Sequence, residues 1–176
     1  MKNYSKKDYR HMLWKNGERV TTELFRYPLT GEFLFRLSCA EVKEDGPFSL
    51  YHGHDRYLMI TSGEGCILKN KDYSVVLKKY DPPFSFPGED SIFCELIQGP
   101  IKDFNVMFNR NWGDVTIKVL TQVNGEIELH CTTDRLFAYD VSDETLLELE
   151  NQDIVTLYSN YLIVVEVKKK AGLTGM

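Results

Sequence analysis

The feature that most constrains this chain is its punctuation. Alternating or β-branched runs recur at short intervals, and each ends in a turn signal instead of continuing as an amphipathic helix. The runs cover 33–42, 56–61, 65–68, 73–77 and 92–97, then 115–122, 126–131, 136–141, 146–149, 154–158 and 161–167. Gly46-Pro47, Ser62-Gly63-Glu64-Gly65, Asp81-Pro82-Pro83, Pro87-Gly88, Gly99-Pro100 and Asn124-Gly125 separate them. Short strands at roughly 8–12-residue spacing predict an all-β sandwich or barrel. Asn124-Gly125 suits a type I′ turn and predicts a hairpin joining 115–122 to 126–131. Helix is confined to one expected short turn at 109–112. The basic run Lys168-Lys169-Lys170 and the residues after it are expected to fray.

Charge narrows the function classes. Lys plus Arg number 21 against 26 Asp plus Glu, a formal net charge of −5. A nucleic-acid or membrane-surface partner needs a basic footprint, so neither is expected. No apolar run approaches the ~20 residues of a transmembrane helix. The polar start, Met1-Lys2-Asn3-Tyr4-Ser5, lacks a secretory pattern, which points to a cytoplasmic protein. Cys39, Cys66, Cys94 and Cys131 form no Cys-x-x-Cys pair and sit in apolar runs, as small hydrophobes do. A weak repeat pairs Asp55-Arg56-Tyr57-Leu58 with Asp134-Arg135-Leu136-Phe137. It suggests two β modules, an N-terminal one over 1–110 and a C-terminal one over 111–176 packed on the first.

Strand alternation then singles out polar residues. Along 33–42, Phe33, Phe35, Leu37 and Cys39 share one face, while Leu34, Arg36, Ser38 and Ala40 share the other. An arginine turned into a barrel needs an anion, which Glu23 or a ligand carboxylate could supply. Arg56 opens a strand after a glycine turn, suited to a rim salt bridge with Asp55 or Glu64 or to ligand contact. Asn16 and Asn105 offer amide donors and acceptors, and Trp14 a flat wall. His52-Gly53-His54 on a strand would put both imidazoles on one face, as two metal ligands require. The further ligands of a cupin metal site are missing, so no metal is expected, and His52 and His54 remain the only candidates. No nucleophile elbow, phosphate loop or dinucleotide fingerprint is present.

The ordered set Trp14-Lys15-Asn16-Gly17, Thr22-Glu23, Gly46-Pro47-Phe48-Ser49, Gly53-His54-Asp55-Arg56 and Asp103-Phe104-Asn105-Val106-Met107 resembles the HutD/Ves family of bacterial cupin-like proteins. The resemblance covers residues 12–110 and extends loosely to 167, with His52-Gly53 where the family commonly has Pro-Gly. It implies a cupin (double-stranded β-helix, or jelly-roll) with two barrel modules in one chain. It also implies an accessory or regulatory role linked to histidine utilisation or stress, and carries over no catalytic residues. The expectation is a non-metal cupin that uses no cofactor. It would bind a small anionic metabolite, such as the acylated amino acid formylglutamate, through Trp14, Asn16, Thr22, Glu23, Arg36, Ser38, Arg56 and Asn105. A homodimer is left open. The alternatives are a cupin enzyme, either a metal-free isomerase or a metal-dependent oxygenase using His52 and His54, and a stress-related structural protein with a vestigial pocket.

Overall fold

A computed structural model describes residues 1–13, 20–121 and 125–172, which form seventeen strands and, among those residues, no helix. Two units emerge, one spanning Arg10–Asn111 and one joining Met1–Tyr9 to the residues from Trp112 onward.

The Arg10–Asn111 unit holds two antiparallel sheets. The larger runs in the order β2 (Arg10–Leu13), β3 (Val20–Tyr27), β4 (Phe35–Val42), β11 (Ile101–Asn109), β6 (His54–Ser62) and β9 (Phe84–Pro87). The smaller runs β5 (Gly46–Pro47), β10 (Phe93–Leu96), β7 (Cys66–Lys69) and β8 (Ser74–Leu77). Alternation on β6 sends Leu58 and Ile60 into a core with Cys66, Leu68, Leu77, Cys94 and Ile92. Each such aliphatic side chain contributes about 1.5–3 kcal/mol on burial. Strand β11 is central, pairing with β4 and β6, although the sequence offers no strand there. Asp103, Asn105 and Asn109 are poor strand formers, and pairing on both edges overrides their propensity.

The other unit pairs β1 (Lys2–Tyr4), β15 (Thr145–Glu150), β14 (Arg135–Asp140), β17 (Tyr161–Lys169) and β12 (Gly113–Thr121) in one sheet, with β13 (Ile127–His130) and β16 (Ile154–Leu157) as a ribbon. Its core, Ile127, Leu129, Cys131, Leu136, Ala138, Leu149, Leu162 and Val164, is apolar.

Four expectations are corrected. Strands β12 and β13 form no hairpin: β12 pairs with β17 and β13 with β16, while Gln122–Asn124 lie outside the described residues. Lys168 and Lys169 are strand residues opposite Asp114 and Gly113, because β12 is long enough to pair them. The division at 110/111 differs at the N-terminus, where β1 adds to the edge of β15 and takes Met1–Tyr9 with it. In the repeat, Arg56 shares a face with core residues Leu58 and Ile60, whereas Arg135 lies on the face opposite core residues Leu136 and Ala138. The two Asp-Arg pairs are therefore not structural equivalents.

Candidate functional site

Register places the polar residues in rows across the larger sheet. Arg26, Arg36, Met107, Arg56 and Phe86 form one row over β3, β4, β11, β6 and β9. Glu23, Ser38, Asn105, Leu58 and Phe84 form the next, and Thr21, Ala40, Asp103 and Ile60 a third. Leu58, Ile60 and Phe86 belong to the core facing the smaller sheet, so these rows line the interior of the unit. A β-bulge between Glu23 and Phe25 lets Glu23 and Arg26 share this face. Glu23, Arg36, Ser38, Arg56, Asp103 and Asn105 are all buried.

Arg36 Nε lies 2.9 Å from Glu23 Oε2, and Arg26 Nη1 stands 4.0 Å from the same oxygen. The Arg36 N–H is not aimed along that line, so Nε and Oε2 form an ion contact without a hydrogen bond. Arg36 Nη1 makes a long contact, 3.5 Å, to the Tyr51 hydroxyl. Arg56 Nη2 donates to Asn105 Oδ1 at 3.0 Å and Nη1 donates to the Ser49 carbonyl at 3.3 Å, while its buried Nε has no partner. The Arg56 guanidinium lies 5.0 Å from the Phe86 ring centre, 5.2 Å from that of Phe48 and 5.7 Å from that of Tyr51. Asn105 Nδ2 donates to Asp103 Oδ1 at 2.5 Å, and the same oxygen accepts the Ala40 N–H at 3.1 Å. These contacts fix which way the Asn105 amide points. Burial pushes the Arg56 pKa down to about 10, against the pull of Asp103, so the guanidinium stays charged at neutral pH. Two buried cations flank β11 with their Cα atoms about 10 Å apart, each with a buried Nε–H that makes no hydrogen bond. A planar guanidinium in that state suits a carboxylate.

Of the expected site residues, the fold gathers Glu23, Arg36, Ser38, Arg56 and Asn105. Thr22 falls on the opposite face of β3, where its hydroxyl meets His11 Nδ1 at 3.0 Å. Trp14 and Asn16 lie outside the described residues. Arg56 forms no rim salt bridge; Arg110 takes that place, 2.9 Å from Asp55 and 2.8 Å from Glu89. The hydrogen bonds from Arg110 hold the Glu89 carboxyl down at about 2.

The paired-imidazole geometry does not form. β6 starts at His54, and His52 precedes it in an exposed turn where Gly53 has φ of 74°. Buried His54 places Nδ1 2.9 Å from the His52 carbonyl and Nε2 2.8 Å from the Phe33 carbonyl, so both ring nitrogens are engaged by backbone. Among the described residues no three His, Cys, Asp or Glu side chains are grouped as metal ligands. Sequence reasoning missed Asp103, Phe48 and Tyr51. Asp103 was findable, since it precedes Asn105 by two residues and would share its face once 101–109 is taken as a strand.

Comparison with known proteins agrees with the sequence motifs. The HutD family model matches residues 6–175. A 21.2 kDa protein from the hutC 3′ region of Pseudomonas putida is 38% identical over 104 residues, covering 57% of this chain and 54% of that protein. Protein Ves of Cronobacter sakazakii is 34% identical over 101 residues, 56% of this chain and 55% of its own length. The chain thus spans about half the length of the curated relatives it matches. HutD from Pseudomonas fluorescens SBW25, solved in a formate condition, superposes with a TM-score of 0.83 at 26% identity, over 97% of this chain and 99% of that one.

Proposed function

The chain belongs to the HutD family, and from that premise we propose that it is a non-metal, cupin-like protein binding a small carboxylate metabolite inside its Arg10–Asn111 unit. Its role on this reading is accessory or regulatory, connected with histidine utilisation. The observation that carries the reading is the pair of buried arginines, Arg36 and Arg56, each with an Nε–H lacking a hydrogen-bond partner. Burying a guanidinium costs several kcal/mol unless it is paired, and Glu23 and Asn105 meet only part of that need. An acylated amino acid such as formylglutamate fits the chemistry, offering carboxylates to the arginines and an amide to Ser38 and Asn105. The hutC-region relative from P. putida supports the same context. The oxygenase alternative required His52 and His54 on one face, an arrangement this turn does not supply.

A thermal-shift screen of carboxylates, from formate through formylglutamate, tests the proposal. A ligand at 100 times its Kd adds about 2.7 kcal/mol, a shift of several degrees for a chain of this size. At least one carboxylate should raise the Tm of the wild type and leave Arg56→Met unmoved. A screen in which no carboxylate discriminates between the two proteins removes the reading.

A further inference from the structure

Between β5 and β6 the chain crosses the two arginines as an irregular strap, Phe48-Ser49-Leu50-Tyr51. Its backbone N–H ties to neighbouring strands and turns are at its two ends: the Phe48 N–H donates to the Ile92 carbonyl and the Tyr51 N–H to the Gly88 carbonyl, both at 2.8 Å. Its middle is solvent-facing, with Leu50 49% exposed. The underside touches the site. The Ser49 carbonyl accepts from Arg56 Nη1 at 3.3 Å, the Tyr51 hydroxyl stands 3.5 Å from Arg36 Nη1, and the Phe48 and Tyr51 rings lie against Arg56. Both polar contacts are at the long end of the hydrogen-bond range, and each presents an oxygen where a carboxylate oxygen would bind.

The Tyr51 anchor depends on Gly88. A Cβ at position 88 would stand 2.3 Å from the Tyr51 carbonyl and 2.9 Å from the His54 carbonyl, so the strap can lie down only because that side chain is absent. Gly53, with φ of 74°, forms the turn at the strap's far end.

We propose that residues 48–51 form a lid over Arg36 and Arg56. In the closed state the strap's own oxygens occupy the arginines, and it must lift for an anion to reach them. The lid's purpose rests on the carboxylate reading; its existence does not, and it is tested without a ligand. Phenylglyoxal modifies guanidinium groups that it can reach, and exposed Arg10 serves as the internal standard. In the full wild-type chain, Arg36 and Arg56 should react at least tenfold more slowly than Arg10. Gly88→Ala, which displaces Tyr51, should raise their rates at least tenfold with Arg10 unchanged. Tyr51→Ala, which leaves position 88 untouched, should do the same and serves if Gly88→Ala misfolds. Hydrogen exchange at Ser49 and Leu50 should be at least a hundredfold faster than at Phe104 in the wild type. Wild-type rates at Arg36 and Arg56 in the folded variants, or arginines already as reactive as Arg10, overturn the lid. A protein whose arginines open as described but which binds no carboxylate keeps the lid and loses the ligand.

Discussion

Glu23 and Arg36 meet diagonally across β3 and β4, Oε2 and Nε 2.9 Å apart and buried, yet without an aligned hydrogen bond. The pair satisfies the charge of each partner and leaves the Arg36 Nε–H and Glu23 Oε2 without a hydrogen bond. Such a contact can be exchanged for a better one at low cost.

Replacing Glu23 with Gln strands the Arg36 charge, with Arg26 close by at 4.0 Å from the lost oxygen. Removing one partner of a buried pair typically costs about 3–5 kcal/mol. Urea denaturation of Glu23→Gln should show a loss of that order in the empty protein. Carboxylate affinity should be equal or higher, because the internal competitor for Arg36 is gone. A fall in affinity parallel to that of Arg36→Lys would place Glu23 in contact with the ligand instead.

Asn105 is the joint between Arg56 and Asp103, accepting from one and donating to the other. Asn105→Leu leaves both groups short of a partner in the interior, at a cost of about 2–4 kcal/mol. Asn105→Asp should be milder in stability, since it still accepts from Arg56, but places a carboxylate beside Asp103. The order of urea midpoints, wild type above Asn105→Asp above Asn105→Leu, checks this.

The histidines should separate cleanly. His52 is exposed and His54 is buried against Phe33, with ring centres 4.7 Å apart. His52→Ala should leave stability within about 0.5 kcal/mol of wild type. His54→Ala removes the ring and both carbonyl contacts and should cost about 2–3 kcal/mol. Metal content measured by elemental analysis should be the same in both variants and the wild type.

Glu89 gives a pH signature. Its folded-state pKa of about 2, set first by the Arg110 hydrogen bonds, lies below the ~4.3 of an unfolded chain. The carboxylate therefore stabilises the fold above about pH 4.3, and that contribution is lost as pH falls toward 2. Glu89 is a third exposed, so solvent screening holds the effect to about 1 kcal/mol or less. Urea midpoints of wild type and Glu89→Gln should differ at pH 7 and converge by pH 2.

How much of this was legible in the sequence follows from where burial is ordinary. Strands β6, β7, β10 and β17 read directly, because their apolar residues alternate or run together against a single core. Arg36 and Ser38 were legible for the same reason, as exceptions to an otherwise apolar strand. Strand β11 was not, because Asp103 and Asn105 look like loop residues until the Ala40 N–H and the Arg56 guanidinium satisfy them. Thr22 was placed wrongly because 20–27 does not announce itself as a strand; once it is one, ordinary alternation puts Thr22 on the face opposite Glu23. The His-x-His pattern failed because period-two reasoning applies only inside a strand, and β6 begins at the second histidine.

On the proposed reading, Arg36 and Arg56 together hold a carboxylate ligand. Calorimetric titration of the wild type, Arg36→Met and Arg56→Met with formylglutamate, or with the carboxylate that gives the largest thermal shift, tests it most directly. The wild type should bind at one site per chain, and each variant should lose about 2–5 kcal/mol of binding free energy. Unchanged affinity in both variants would contradict it.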